Sequence, residues 1–267
     1  MRIVVPPGVF HPRSDSWMLA EALRREPAVR GGDVLDLCTG SGAVAVAAAL
    51  AGARGVTAVD VSRRALLAAK LNGMLNGVRI EGRRGDLLRV VAGRSFDVVT
   101  SNPPYLPAAS DELPERGAER AWDAGFDGRA LLDRILAEAP SRLRPGGALV
   151  VVHSSVCGEA ETLERMRAAG LDSEVVARRR GPLGPLLAGR ALELERRGLL
   201  APGAREEDLL VIRGRRPKAP AHDALSDTWL GHALHPHQPA AGSDHRCMCR
   251  IPGLRVGGSR PSSSEDL

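Results

Sequence analysis

The run Asp33-Val34-Leu35-Asp36-Leu37-Cys38-Thr39-Gly40-Ser41-Gly42 passes from an apolar segment of strand length into two glycines, and then into an Ala/Val-rich segment that ends near Ala51-Gly52. So short an apolar run reads as a buried strand. The glycines let the backbone turn sharply and let another group come close to it. Strand, tight turn and helix together open a βαβ unit, and the chain repeats that rhythm on either side. Upstream, Pro6, Pro7 and Pro12 mark residues 1–13 as an extended lead-in, and Ser14 or Asp15 is placed to cap a helix over residues 16–25. Downstream, strands are expected at 55–60, 78–84, 96–101, 148–153, 171–177 and 208–213. Helices are expected from Ser62 to Met74, from Asp127-Gly128 to Ala139, over 159–169 and over 186–198. This alternation predicts an α/β fold with a seven-stranded, mostly parallel sheet, an antiparallel edge and helices on both faces.

Composition narrows the class. The net charge is +5, yet Lys70 and Lys218 are the only lysines and the other basic residues are arginine. With abundant Ala, Gly and Pro this reflects a GC-rich coding bias more than a nucleic-acid surface, although a polyanionic partner stays compatible. Cys38, Cys157, Cys247 and Cys249 follow no disulfide-framework spacing. No segment approaches the roughly 20 apolar residues needed to cross a bilayer. The expectation is a soluble protein of a reducing cytoplasm without a membrane partner. Beyond residue 217 periodicity is lost, and residues 217–267 are expected to be a disordered tail. His232, His235, His237, His245, Cys247 and Cys249 fall in that tail without a regular zinc spacing, so no metal site is assigned.

The chemistry concentrates at strand ends, where open α/β sheets bind ligands. Asp36 closes the first strand, Asp60 the second and Asp86 the third, while the fourth runs into Asn102-Pro103-Pro104-Tyr105. The prolines forbid that strand to continue. The side-chain carbonyl of Asn102 and the main-chain carbonyl of Pro103 can both accept from one planar NH2 group, on which Tyr105 can stack. Two acceptors favour the positive charge that grows on nitrogen as it attacks an electrophile. Gly40, Gly42 and Ala45 also satisfy a loose dinucleotide fingerprint, with Asp60 following as a ribose acceptor. A nicotinamide ligand, however, has no ammonium group for Asp36 to meet, whereas S-adenosylmethionine does.

These motifs in order, with Pro6-Pro7 through Ser14-Asp15-Ser16, Asp86-Leu87 and Gly125-Phe126-Asp127-Gly128-Arg129, resemble the class I S-adenosylmethionine-dependent methyltransferases. Within them the chain is similar to the HemK family of protein-glutamine N5-methyltransferases over residues 4–213. The Gly181-Pro182-Leu183-Gly184-Pro185 segment looks like the short branch, without a separate N-terminal substrate domain. The resemblance implies a lead-in and lid helix over residues 1–30 and a methyltransferase domain over 31–216. It implies that Asp36, the Cys38 and Gly40 backbone, and Gly42 hold the methionine part of the cofactor. Asp60 would hold the ribose, Asp86 and Leu87 the adenine, and Ser16 would close over it. Asn102, Pro103, Pro104 and Tyr105 would hold the glutamine amide, with Asn102 also facing the cofactor. Cys38 replaces a glycine common in the family, and Ser14 stands where many short-branch relatives carry glutamate.

The function expected is methylation of a protein glutamine, in the Gly-Gly-Gln loop of a translation release factor. An adenine-N6 methyltransferase of DNA or RNA is the main alternative, since Asn-Pro-Pro-Tyr suits that amino group equally, and a small-molecule N-methyltransferase is another. Arg178, Arg179 and Arg180 are candidate RNA contacts or a solvated edge. His153 and Trp122 are expected to be structural. Eukaryotic and archaeal relatives work with a small zinc-binding partner, and the sequence leaves open whether this chain requires one.

Overall fold

The computed structural model describes residues 1–115 and 117–218. From residue 219 onward the expected tail, with its His/Cys cluster, lies outside the described residues. Seven strands form one sheet: β1 (Asp33–Leu37), β2 (Gly55–Asp60), β3 (Glu81–Arg84), β4 (Phe96–Ser101), β5 (Leu143–Ser154), β6 (Asp172–Pro182) and β7 (Glu206–Arg215), in the spatial order β3-β2-β1-β4-β5-β7-β6. The first five are mutually parallel, and β7 is inserted antiparallel between β5 and β6. The strand order reverses between β1 and β4, so the crevice above their C-terminal ends is the place where such sheets take ligands.

The inner strands β1, β2, β4 and β5 are apolar on both faces because both are covered. Val34, Val98, Val150 and Val152 face one core with Leu19 and Leu23 of α1 (Ser14–Arg25) and Val44 and Val46 of α2 (Ala43–Leu50). Leu35, Val99, Leu149 and Val151 face the other, against Leu132 and Ile135 of α4 (Ala130–Glu138) and Met166 of α5 (Glu159–Ala168). Alternation along each strand sorts neighbours to opposite layers. The remaining helices are α3 (Arg63–Leu75), packed beside α2, and α6 (Pro185–Arg196). The second forms its own small core with Leu106, Val156 and Leu200 near the C-terminal strand ends.

Several boundaries depart from the sequence reading. Residues 78–80 do not pair, because β3 is the sheet edge and its register with β2 begins at Glu81. β6 runs on to Pro182 through exposed arginines, since pairing with β7 continues past the apolar segment. The residue flanking α1 is Arg13, with no side-chain cap, while Ser14 and Asp15 lie inside the first turn. Similarly, Asp127 does not cap α4 but accepts from the Arg129 N–H at 2.8 Å, a local turn that sets up the helix.

Two buried polar groups fix the N-terminal segment to this frame. The Asn72 side chain, fully buried in α3, accepts from the Val4 N–H and donates to the Val4 and Ser41 carbonyls, so one amide holds both the lead-in and the glycine turn. At the end of α1, the buried Glu26 carboxylate receives Arg213 and Arg215 from β7. Breaking either would strand a buried polar group.

Candidate functional site

A cavity of about 620 Å³ opens over the C-terminal ends of β1, β2 and β4, a volume in the range of small-molecule sites. All the residues expected at the site except Gly42 line it: Ser16, Asp36, Cys38, Gly40, Asp60, Asp86, Leu87 and Asn102 through Tyr105. Gly42 lies just behind, at φ +78°, where a Cβ would come within 2.5 Å of Ala69. Its role is to let α2 start against α3. Cys38 also adopts positive φ, at +56°. A side chain in that region costs roughly 1–2 kcal/mol, which explains why glycine serves well there and shows that cysteine pays for the same turn. Leu87, at φ +46°, is the other non-glycine residue in this region among the described residues.

The acids differ in what they have left to offer. Asp36 is buried, and its Oδ2 accepts from the Thr39 hydroxyl at 2.6 Å. Burial pushes its carboxyl up to about 7, with the nearby Asp60 adding to the rise and the Thr39 hydrogen bond opposing it. Asp60 is also raised, chiefly by burial, while the Ser62 and Gly40 N–H groups, at 2.8 and 3.0 Å, hold it down. Neither forms an ion pair among the described residues. Asp86 is different. Its Oδ2 receives Arg134 of α4 at 2.6 Å, so a single oxygen remains for a ligand. The resulting picture is a fully buried Asp36 carboxyl without a cation partner among the described residues, a partly buried Asp60 beside it held by two main-chain N–H groups, and Asp86 paired with Arg134 on the rim.

The acceptor side is built from distant parts of the chain. The Asn102 Nδ2 donates to the Ser16 Oγ at 3.0 Å, which aims its Oδ1 away from α1. The Tyr105 hydroxyl donates to the Asp15 Oδ2 at 2.9 Å, and the other Asp15 oxygen accepts from the Ser16 N–H at 2.6 Å. Burial, with Asp15 beside it, holds the Tyr105 phenol well above its ordinary value, so it stays a neutral donor. From below, the Cys157 thiol lies 3.0 Å from the Tyr105 carbonyl. Asp15 was read only as a helix cap, and Asn72 was not singled out in the sequence. An asparagine deep inside a helix, where it is a poor helix former, is the signal that could have exposed the second.

The Gly125–Arg129 motif supports this turn from outside the cavity. Gly128 has φ +76°, and a Cβ there would sit 2.4 Å from the Tyr105 carbonyl oxygen. Arg129 is buried, with its guanidinium on Asp133 at 2.7 Å and on Thr162 at 3.1 Å. Gly128→Ala is therefore expected to destabilise the protein by about 2 kcal/mol or more and to displace Tyr105. Thermal unfolding together with turnover checks it; an unchanged melting temperature would refute the contact.

The remaining expectations divide. His153 is fully buried with Nδ1 2.8 Å from the Ser154 carbonyl, and burial lowers it to about 4, so it is neutral and structural. Trp122 lines the cavity and also packs on the α6 core. Arg178 is committed to Glu159 and Asp208, and Arg180 lies 3.4 Å from Asp208, which makes them sheet-edge ion pairs; Arg179 reaches the cavity rim. No cluster of metal-ligand side chains occurs among the described residues, and among them no helix is long and apolar enough to cross a membrane.

The family description "Methyltransferase small domain" matches residues 1–114. A candidate protein N5-glutamine methyltransferase of Methanocaldococcus jannaschii is 36% identical over 194 residues, covering 73% of this chain and 96% of that one. Release factor glutamine methyltransferases of Geobacter sulfurreducens and Bordetella pertussis are 38% and 39% identical, over 60% and 65% of this chain. The match takes in 57% and 66% of their own lengths, so the chain spans well under the whole of those bacterial relatives. Among solved structures, the E. cuniculi Mtq2–Trm112 complex, described as responsible for methylating the eRF1 translation termination factor, superposes with a TM-score of 0.53 at 24% identity. That superposition covers 78% of this chain and 99% of that one, and it carries the fold.

Proposed function

Because the chain belongs to the HemK family of class I S-adenosylmethionine-dependent methyltransferases, we propose that it methylates the side-chain amide nitrogen of a glutamine, in the Gly-Gly-Gln loop of a translation release factor. The observation that carries the reading is the orientation of Asn102. Its NH2 donates to Ser16, which leaves its carbonyl oxygen as an acceptor, and we read the Pro103 main-chain carbonyl as the second.

The residues present suit the cofactor. Asp36, buried and without a cation partner among the described residues, suits an ammonium group, and burying it uncompensated is costly. Asp60 keeps lone pairs on both oxygens for a vicinal diol. Leu87 is buried beside Asp86 on the cavity wall, where an adenine would find an apolar face and one carboxylate oxygen. S-adenosylmethionine, when bound, supplies an electrophilic methyl group on a sulfonium.

The chain's own task is to make a poor nucleophile react. A carboxamide nitrogen has its lone pair delocalised into the carbonyl. The Asn102 and Pro103 carbonyls accept from its two hydrogens, hold the nitrogen in one orientation, and stabilise positive charge as it develops there. Tyr105, fixed by Asp15, forms the wall against which the amide plane lies. Asp15 and Ser16 come from α1, so the lid helix and the acceptor turn are one hydrogen-bonded unit. No side chain is needed as a general base, since a proton on a positively charged amide nitrogen is strongly acidic and leaves to solvent.

We further read the protein as cytoplasmic, where its substrate is. The test is mass spectrometry of purified release factor incubated with the protein and S-adenosylmethionine. One methyl group on the Gly-Gly-Gln glutamine is expected, and none on a Gly-Gly-Ala variant. Methyl incorporation into adenine of RNA or DNA instead, with no gain on the factor, would move the assignment to the nucleic-acid alternative.

A further inference from the structure

The wall that β7 gives the cavity holds a carboxylate that the mechanism does not use. Glu207 is the second residue of β7, paired across from Gly181 of β6. It is more than nine-tenths buried. Its Oε1 accepts from the Gly184 N–H at 2.8 Å, which holds the turn into α6. Its Oε2 is completely buried and has no hydrogen-bond partner among the described residues. Glu207 and Leu209 both line the cavity, two residues apart on one side of the strand, while Asp208 between them points the other way to Arg178. The same wall carries Gly181, Pro182, Leu186 and Leu187, and Tyr105 lies within electrostatic reach of the Glu207 carboxylate.

An unsatisfied buried carboxylate oxygen is costly, and one at the wall of a ligand cavity marks a place where a donor arrives. We infer that the Glu207 Oε2 accepts a main-chain N–H of the acceptor peptide, next to the glutamine held by Asn102, and so is a specificity-determining residue for an extended peptide substrate. The inference rests on the glutamine reading above and deepens it. A glutamine side chain by itself offers only its NH2 group, already claimed by the Asn102 and Pro103 carbonyls. The residues on either side of it offer main-chain N–H groups and little else, above all if they are glycines. A carboxylate that has fixed its first oxygen on Gly184 presents its second in a set position, and the acceptor must match it.

The substitution that isolates this is Glu207→Gln. It keeps an oxygen for the Gly184 N–H and replaces the acceptor Oε2 by an NH2 donor, which would face the incoming donor. The probe is a synthetic nonapeptide containing Gly-Gly-Gln, together with three versions in which the main-chain N–H of one of those residues is replaced by N–CH3. With the wild-type protein, turnover of the plain peptide is expected, and one of the three N-methyl peptides should lose about tenfold to a hundredfold in kcat/KM. With Glu207→Gln the plain peptide should show a similar rise in KM with little change in kcat, and that same N-methyl peptide should lose almost nothing more. Cofactor affinity and melting temperature should match wild type. A KM unchanged in Glu207→Gln, or equal N-methyl penalties in both proteins, would overturn the inference and leave Glu207 as a support for the Gly184 turn. A wild-type protein inactive on the plain peptide and on intact release factor would overturn the glutamine reading and, with it, this assignment.

Discussion

Asn102→Ala is expected to lower methyl transfer by about a thousandfold or more while changing S-adenosylmethionine affinity by less than about threefold. Removing one preorganised electrostatic contact of this kind costs on the order of a hundred- to a thousandfold in kcat, and here the same side chain also sets the orientation of the nucleophile, which adds to the loss. The structure gives a specific reason to expect no substitute. Ser16 Oγ can hydrogen-bond Asn102, but it sits on α1 and is itself held near Asp15; a water admitted in place of the amide would be mobile and would donate as readily as accept. The control is Asp60→Ala, which removes a carboxylate that accepts from Gly40 and Ser62 and should weaken cofactor binding by at least about tenfold. Isothermal titration and single-turnover kinetics on both variants separate the two effects. Matching losses of binding in the two would mean that the acceptor and cofactor roles are not divided as proposed.

What the sequence could and could not reveal follows the range of the interactions. β2 and β4 coincide with their predicted spans, and β1 ends one residue short of its own, because a strand buried on both faces is a local apolar run bounded by polar residues or glycine. Asp36 and Asp60 were readable for the same reason: each is the first charge that the apolar run meets. β6 was not readable to its end, because its last residues are exposed and arginine-rich, and only the β7 ladder holds them. Asp15 carried a helix-capping signal and Ser16 was expected to close over the cofactor, yet their side chains are spent on Tyr105 and Asn102, residues 90 and 86 positions away. Composition cannot distinguish those two uses of an Asp-Ser pair. Glu207 was hidden between Glu206 and Asp208, where three acids in a row read as a solvated strand start; burial and the orphaned oxygen emerge only from the turn at Gly184 packing over it.

The second large effect concerns Asp36 and has opposite signs for stability and for binding. With no cation beside it, burial lifts the carboxyl to about 7 in the folded protein, against an ordinary aspartate value of about 4. The folded state therefore keeps a proton that the unfolded chain releases, so stability is greatest below the unfolded pKa and declines as pH rises from about 4 to about 7. The integrated loss is on the order of 4 kcal/mol. Asp60, raised by the same burial, tilts the curve the same way. Cofactor affinity runs against this, because the ammonium needs the ionised carboxylate: below pH 7 each unit should cost about tenfold, making the Kd at pH 5 roughly a hundredfold weaker than at pH 8. Asp36→Asn should then do two things at once. It should raise the melting temperature of the ligand-free protein at pH 8 by about 5–10 °C, and it should cut S-adenosylmethionine affinity by about a hundredfold or more with little remaining pH dependence. Calorimetry of the free protein and titration across pH 5 to 8 read both. A melting temperature that falls on substitution would mean that Asp36 is already stabilised as an anion in the free fold, and a flat Kd in the wild type would mean that the ammonium is held elsewhere. If both hold, the carboxylate at the end of β1 is a case of stability given up for a ligand, because the charge that makes the empty fold weaker is the one the cofactor's ammonium requires.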